Sequence, residues 1–395
     1  MTPIRLLRGV DDDIHHYDRK LDNQLRLLKE EGFPQSEKTL VKDYATMLEA
    51  RGLNKGRISK AIFLLRQIRQ HLACDFARAD KKQIEVLLIW INNNPQYGAW
   101  TRSDAKGLLK RFYRWLRTGK YEGPYPDEVS DVRAGVKLNE IEEPDILTVE
   151  EIETMIKVAD KPRDKAFIAA VFEGGFRIGE MLRMTIGSVS FDDHGARVLV
   201  KKGKTGGRPV RLITSAPLLS SWAEMHPMRR IPSAPLWPSL DHNSKGKGLA
   251  YQSAREIIAD SAAKAGIRKR TYPHLARHTA ATRDARFLNE AELRIKYGWA
   301  RGSKIPATYV HLAGRDVEEK LIAFYAGGKT KPVEPEFVPV VCARCGERNS
   351  PGVRFCAKCG TPLDPAELAR SGVEVEELKA KLDRLLERLP SDLGK

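Results

Sequence analysis

Apolar residues recur every three or four positions through most of residues 21–118, which is the spacing of one face of an α-helix. The pattern is clearest between Lys55 and Leu72, where five aliphatic residues are in register: Ile58, Ile62, Leu65, Ile68 and Leu72. A neighbouring helix is predicted to begin at Ser36, a residue type that caps helix amino termini. We predict four or five helices here, forming a helical domain over residues 21–120 after an amino-terminal arm of residues 1–20.

The last predicted helix of this domain, TRSDAKGLLKRFYRWLRTG, has one basic and one apolar face. Its basic face carries four cations: Lys106, Lys110, Arg114 and Arg117. A basic stripe opposite an apolar one suits a helix that packs on its own domain and faces a phosphate backbone. Because a plain solvated face shows the same pattern, DNA binding by this stripe is one hypothesis of two.

The pattern changes after residue 120. Residues 121–146 are rich in glycine, proline and charge, which is typical of a linker. A second domain, residues 147–328, begins with Thr148 and Glu151 at the spacing of a capping box. Its helical periodicity is interrupted by VSFDDHGARVLVKKGKTGGRPVRLI, whose alternation predicts short antiparallel strands. The predicted fold class is mainly α with a small antiparallel β-sheet.

Four of the five cysteines lie within eighteen residues, in the sequences CARC and CAKC. Two CxxC pairs, each followed by glycine, predict a closed tetrahedral site for structural Zn²⁺, with an iron centre or a redox dithiol as the alternatives. The predicted ligands are Cys342, Cys345, Cys356 and Cys359. They would form a zinc ribbon over residues 341–363, after a linker of residues 329–340. Residues 364–395 carry leucines at 4-3-4 spacing, which predicts an amphipathic helical tail.

Composition adds a polyanionic partner to this organisation. The chain has 68 Lys and Arg against 52 Asp and Glu, a formal net charge of +16. Such an excess favours nucleic acid, because neutralised phosphates release condensed counterions. No apolar run approaches the ~20 residues that span a bilayer, and the start lacks the apolar core of a signal peptide. We therefore expect a cytoplasmic, nucleoid-associated protein with no membrane partner.

Four short sequences of the second domain carry side chains suited to chemistry at a phosphate. They are FRIGE with Arg177 and Glu180, KKGKTGG with Lys202 and Lys204, HLARHTAAT with His274, Arg277 and His278, and YGWARGSKIPATYVHL with Trp299 and Tyr309. Arginine forks match phosphate oxygens, a tyrosine can be a covalent nucleophile, and a lysine can protonate a leaving oxygen. Together they predict phosphoryl transfer through a phosphotyrosine.

In this order the four sequences resemble the signature of the tyrosine recombinase and phage-type integrase family. The resemblance covers about residues 21–328 and looks closest to archaeal integrases and Xer-like recombinases. It implies a helical core-binding (SAM-like) domain and a catalytic domain that form a C-shaped clamp on double-stranded DNA. It also implies dimers or tetramers on DNA. The implied activity is site-specific recombination through a 3′-phosphotyrosine, without ATP or a catalytic metal.

The resemblance implies a role for each residue that would contact the reacting phosphate. Tyr309 is the nucleophile. Arg177 and Arg277 contact the non-bridging oxygens, and His274 supports the site by hydrogen bonding and can share in proton transfer with the lysine. Lys204 protonates the leaving 5′-oxygen and is favoured over Lys202, which fits the turn nearly as well.

Three further residues take supporting roles by the same resemblance. Glu180 orients its neighbours and does not react, and His278 is a structural hydrogen-bonding residue. Trp299 stands where most family members have histidine. Because its ring carries one N–H donor and transfers no proton at neutral pH, it would pack against the nucleophile.

Two other functions fit the same residues. A topoisomerase-like enzyme would nick and close DNA by the same chemistry, and a non-catalytic DNA-binding protein would retain the fold alone. Among recombinases, integration, excision and chromosome dimer resolution remain open, as does the DNA site. The ribbon could bind either DNA or protein.

Overall fold

The computed structural model describes residues 14–135, 146–201, 207–241, 246–312 and 338–364, with residues 325 and 379. Its helices are α1 (Tyr17–Glu30), α2 (Gln35–Ala50), α3 (Lys55–His71), α4 (Lys81–Asn93), α5 (Ala99–Thr118), α6 (Asp127–Ser130), α7 (Val149–Val158), α8 (Pro162–Gly174), α9 (Ile178–Leu182), α10 (Ala216–Met225), α11 (Tyr251–Lys264), α12 (Pro273–Asp284), α13 (Glu290–Tyr297) and α14 (Ile305–Leu312). Its strands are β1 (Val189–Asp192), β2 (Gly195–Val200), β3 (Arg208–Leu212), β4 (Val340–Val341) and β5 (Arg348–Asn349). The described residues divide into two compact units, 15–135 and the remainder.

The first unit is helical, as predicted. The apolar residues of α3 that are in register are buried, and they pack with α2 and α5 around large aromatic side chains such as Phe76 and Phe112. Asn54 caps α3, because its side chain accepts a hydrogen bond from the Arg57 backbone N–H. The predicted cap at Ser36 is wrong, since α2 begins at Gln35 and its N-cap residue is Pro34.

The helical unit is longer at both ends than the sequence pattern indicates. The segment assigned to a linker from residue 121 contains α6, and Val129 and Val132 are buried in the helical core. At the other end, α1 begins at Tyr17, inside the predicted arm. Glycine, proline and charge predict where regular structure stops, but they do not show whether the following residues pack on the same core.

The second unit combines α7–α14 with a three-stranded antiparallel sheet in the order β1-β2-β3, which confirms the predicted fold class. Its central helix is α8, in which every residue from 166 to 174 is buried. Thr148 and Glu151 form the predicted capping box of α7, with each side chain bonded to the other's backbone N–H. None of the described helices is long and apolar enough to cross a membrane.

The cysteine-rich segment packs on this second unit. The Leu218 N–H, in the first turn of α10, donates to the Ser350 hydroxyl at 3.2 Å. Gly352 has a φ of +76°, and a side chain there would begin 2.4 Å from the Glu153 carbonyl oxygen of α7. These close contacts make the segment part of the unit that carries the candidate site.

Candidate functional site

Three arginines converge on the carboxyl-terminal end of α13. Arg208, Arg277 and Arg177 donate to the carbonyl oxygens of residues 296, 297 and 298, at 2.7, 2.6 and 2.8 Å. The last carbonyls of a helix lack partners within it and carry the negative end of its dipole, so they attract cations. One helix end therefore collects side chains from three distant parts of the chain.

The junction between α8 and α9 positions the first of these arginines. Gly175 ends α8 with a φ of +57°, and a side chain on it would begin 2.4 Å from the Tyr297 ring. The Gly175 carbonyl accepts a hydrogen bond from Arg277 Nη1 at 2.8 Å, while Arg277 Nη2 donates to the Tyr297 carbonyl. Arg177 follows directly and its side chain is 30% exposed, whereas Arg277 is only 2% exposed. Arg177 is thus partly open to solvent, whereas Arg277 is buried.

Sequence reasoning missed Arg208. Its guanidinium forms two hydrogen bonds with the Glu180 carboxylate, which also accepts one from the Arg177 side chain. Burial alone would raise the pKa of the Glu180 carboxyl, but Arg208 and Arg177 lower it below its usual range. The strand alternation contained a signal for it. Arg208 is in register with Val210 and Leu212, so it lies on the same, core-facing side of β3.

The nucleophile predicted from sequence lies beside the histidines of α12. The Tyr309 hydroxyl is hydrogen-bonded to His278 Nδ1, and the His274 and His278 rings meet edge to face at 4.5 Å. The two histidines lie one turn apart on α12, so they share a face as the spacing predicts. Tyr309 is 3% exposed and belongs to the small core of this region.

Three aromatic rings form a stack that ends at Tyr309. Tyr297 stacks on Trp299 with ring centroids 4.8 Å apart, and Trp299 stacks on Tyr309 with centroids 5.4 Å apart. The Tyr297 hydroxyl donates to buried Asp284 at 2.6 Å, which anchors the far end of the stack. The Arg277 guanidinium lies over both Tyr297 and Trp299. The ring of the predicted nucleophile is thereby held from one side by packing.

The protonation states of these groups follow from their burial and charges. Burial raises the pKa of Tyr309 to about 12, although Arg277 acts to lower it. Burial, followed by the charges of His274 and Arg277, lowers the pKa of His278 to about 4. The pKa of His274 is lowered for similar reasons. Near neutral pH the Tyr309 phenol is therefore protonated and the His278 imidazole beside it is neutral.

The remaining predicted site residues are not among the contacts described above. Lys204 and Lys202 fall in residues 202–206, outside the described residues. Three cations of the predicted DNA-binding stripe on α5 contact their own unit. Lys110 and Arg114 donate to backbone carbonyls of residues 123–132, and Arg117 pairs with Glu128. Lys106 is half-buried on the same helix, and DNA binding by the stripe stays a prediction.

The four clustered cysteines form a group that could hold one metal ion. Their sulfur atoms all lie within 4.8 Å of one another, and two of the pairs are 3.6 Å apart. A tetrahedral site with Zn–S bonds of ~2.3 Å has sulfur atoms about 3.8 Å apart, so the cluster fits zinc. In each knuckle, a glycine N–H donates to the carbonyl of the first cysteine, which turns the backbone around the site.

Known proteins match the catalytic domain and the cysteine-rich segment separately. Residues 145–315 match the phage integrase family, and residues 341–363 match a zinc-ribbon domain. Tyrosine recombinase XerD of Bifidobacterium longum is 32% identical over 204 residues, covering 47% of this chain and 64% of that protein. Tyrosine recombinase XerC of Shewanella oneidensis is 28% identical over 262 residues, covering 64% and 77%. The match thus spans slightly less than two thirds of the first relative.

Solved structures share the fold at low sequence identity. Lambda integrase bound to DNA has a TM-score of 0.55 and 15% identity, covering 71% of this chain and 97% of that chain. XerH bound to a palindromic difH substrate has a TM-score of 0.52 and 17% identity, covering 82% and 99%. The fold is a mainly helical domain, and its candidate site brings arginines, histidines and one tyrosine close together. The domain of residues 145–315 is thus similar to the tyrosine recombinases of the phage integrase family, and a zinc-ribbon segment follows it.

Proposed function

We propose that the protein is a site-specific DNA recombinase that breaks and rejoins strands through a 3′-phosphotyrosine on Tyr309. The observation that carries the proposal is the contact between the Tyr309 hydroxyl and His278, beside the converging arginines. A protonated phenol in contact with a neutral base can be activated for attack. The arginines supply the positive charge that a pentacoordinate phosphate requires.

The cleavage step can be written with these side chains. The phenolic oxygen of Tyr309 attacks phosphorus while its proton passes to His278. Arg177 and Arg277 stabilise the non-bridging oxygens, for which each guanidinium retains N–H groups beyond its two bonds to the protein. The bond from phosphorus to the 5′-oxygen breaks, and Lys204 protonates that oxygen. The phosphotyrosine conserves the energy of the broken bond, so rejoining requires no ATP.

The DNA partner and the assembly are part of the same proposal. One solved relative of the same fold is a lambda integrase tetramer bound to a Holliday junction, with a TM-score of 0.54. We expect double-stranded DNA as the substrate and dimers or tetramers of this chain on it. The chain's net charge of +16 supports a phosphate-rich partner.

Covalent trapping tests the function directly. The full chain is incubated with nicked duplexes made from genomic fragments, in which the strand beyond the cleavage point diffuses away. A nucleotide-modified peptide containing Tyr309, formed without ATP and in the presence of a chelator of divalent metals, supports the proposal. No adduct on any fragment would contradict it. Relaxed circles without exchange between two cognate sites would indicate a nicking-closing enzyme instead.

We also propose that the ribbon binds one structural zinc ion through Cys342, Cys345, Cys356 and Cys359. Four protein thiolates leave no open position for substrate, so the role is structural. A ribbon of this size has little core, so metal binding supplies its folding energy. Elemental analysis of the purified chain should find about one zinc per protein.

Metal removal should weaken the catalytic unit as well as the ribbon. Unfolding of the ribbon exposes the Leu218 N–H and the surfaces of α7 and α10, and costs that unit about 1–2 kcal/mol. We expect a lower thermal midpoint after exhaustive chelation, restored by added zinc. Cys342→Ser should show the low midpoint without chelator, whereas Cys74→Ser should respond like the wild type. An unchanged midpoint in zinc-free protein would contradict the coupling.

Stability should fall as the pH falls below neutrality. His278 is neutral in the folded state down to about pH 4, whereas an unfolded histidine takes a proton near pH 6.5. The unfolded state therefore binds more protons between these values, and the free energy of unfolding decreases with acidification. Urea unfolding at pH 7.5 and 5 should show a decrease that is about 1 kcal/mol smaller in His278→Gln. Equal decreases in both proteins would show that His278 does not contribute.

A further inference from the structure

The guanidinium of Arg208 is buried beside Arg177 and Arg277, at the same end of α13. Its side chain is 7% exposed and that of Glu180 is 4% exposed. Arg208 Nη1 and Nη2 donate to the two Glu180 carboxylate oxygens at 3.0 and 2.8 Å, which is bidentate geometry. Its Nε donates to the Lys296 carbonyl at 2.7 Å. Arg208 takes no part in the cleavage step at the phosphate.

Glu180 is shared between two arginines of different exposure. Arg177 Nη1 donates at 2.9 Å to the same Glu180 oxygen that Arg208 Nη1 contacts. These three side chains have a net charge of +1, and Arg177 is the more exposed of the two cations. Without Arg208, Arg177 would be the one cation in contact with Glu180 among the described residues. The carboxylate would then neutralise Arg177 and hold it in the protein.

We propose that Arg208 is a positioning residue for strand cleavage, which neutralises Glu180 so that Arg177 stays available to the scissile phosphate. This inference rests on the proposed function and deepens it. The bond from Arg208 to the Lys296 carbonyl adds a second effect, because the next two carbonyls hold Arg277 and Arg177. Arg208 thereby stabilises the helix end on which the other two arginines converge.

A double-substitution cycle tests the charge relationship. The full chain is prepared as wild type, Arg208→Met, Glu180→Gln and the double variant, and each is mixed in excess with a nicked DNA substrate. Arg208→Met should slow adduct formation by about 100-fold at saturating DNA, with the Kd for DNA changed less than about 3-fold. The double variant should recover at least about tenfold of that loss, because the unbalanced carboxylate is gone. Arg208→Lys, which keeps the charge, should be intermediate.

Two further measurements separate this role from general destabilisation. Arg163 is equally buried in the same unit and donates to the Pro238 carbonyl, so Arg163→Met is a matched control. Its rate per folded molecule should stay within about 3-fold of wild type, with the folded fraction measured by thermal unfolding. A substrate with a neutral methylphosphonate at the cleavage position should reduce the penalty of Arg208→Met, since a neutral phosphate needs Arg177 less.

The outcomes separate this inference from the proposed function. If wild type forms no adduct, the proposed function fails and the inference fails with it. If wild type forms the adduct and folded Arg208→Met matches its rate, only the role of Arg208 is overturned. A double variant as slow as Arg208→Met would also overturn the role, because charge relief by Glu180→Gln would then have no effect. If Arg208→Met does not fold, Arg208→Lys replaces it. A rate equal to wild type on both the phosphate and the methylphosphonate substrate would then overturn the role of Arg208.

Discussion

Replacement of Tyr309 by phenylalanine is expected to abolish the covalent adduct and to lower strand cleavage by roughly 10⁴-fold or more. Phenylalanine keeps the ring that stacks on Trp299, but it lacks the oxygen that would attack phosphorus. The fold should change little, because the lost contact is one hydrogen bond to His278, worth about 1 kcal/mol. Denaturing gels of a nicked suicide substrate measure the adduct, and thermal unfolding measures the fold.

The matched variant is Tyr297→Phe, which makes the same chemical change two positions before Trp299. Its hydroxyl is bonded to Asp284 and buried, and burial followed by that charge raises its pKa well above the usual range. This variant should still form the adduct, slowed by about tenfold or less through loosening of the ring stack. An adduct that persists in Tyr309→Phe and vanishes in Tyr297→Phe would show that the nucleophile is Tyr297 and not Tyr309.

Substitution of Arg277 by alanine should lower adduct formation by about 10³-fold and destabilise the catalytic unit by about 2–3 kcal/mol. The catalytic loss follows from removing a guanidinium beside the reacting phosphate. The stability loss follows because the carbonyls of Gly175 and Tyr297 each lose a buried donor. Single-turnover cleavage at saturating DNA gives the first quantity and urea unfolding gives the second.

Arg283 on the same helix provides the control for this prediction. It donates to the carbonyls of residues 172 and 173 and pairs with Asp284, so its replacement by alanine also strips two carbonyls of a donor. We expect Arg283→Ala to be destabilised to a similar degree while cleavage per folded molecule stays within about tenfold. If the two alanine variants lose cleavage equally, the effect of Arg277 is one of stability and not of charge at the phosphate.

Much of the architecture could be predicted because it depends on local patterns. The apolar spacing of α3, the alternation of β1–β3 and the capping box at Thr148 each depend on residues within a few positions of one another. The zinc ribbon was predictable for the same reason, since two CxxC pairs bring four thiolates together over a short segment. The boundary at residue 121 was wrong because packing of Val129 and Val132 on a distant core leaves no local pattern.

In the candidate site, the types of side chain could be predicted from the sequence, but their contacts could not. The sequence by itself predicted side chains suited to chemistry at a phosphate, among them arginines 177 and 277, the histidines of α12, and Tyr309. Only the tertiary structure decided that His278 is bonded to Tyr309 and that Lys110, Arg114 and Arg117 of the α5 stripe form bonds within their own unit. It alone placed Arg208 against Glu180, 28 positions away. Buried pairing depends on which segments meet in space, and charge and periodicity along the chain do not record that.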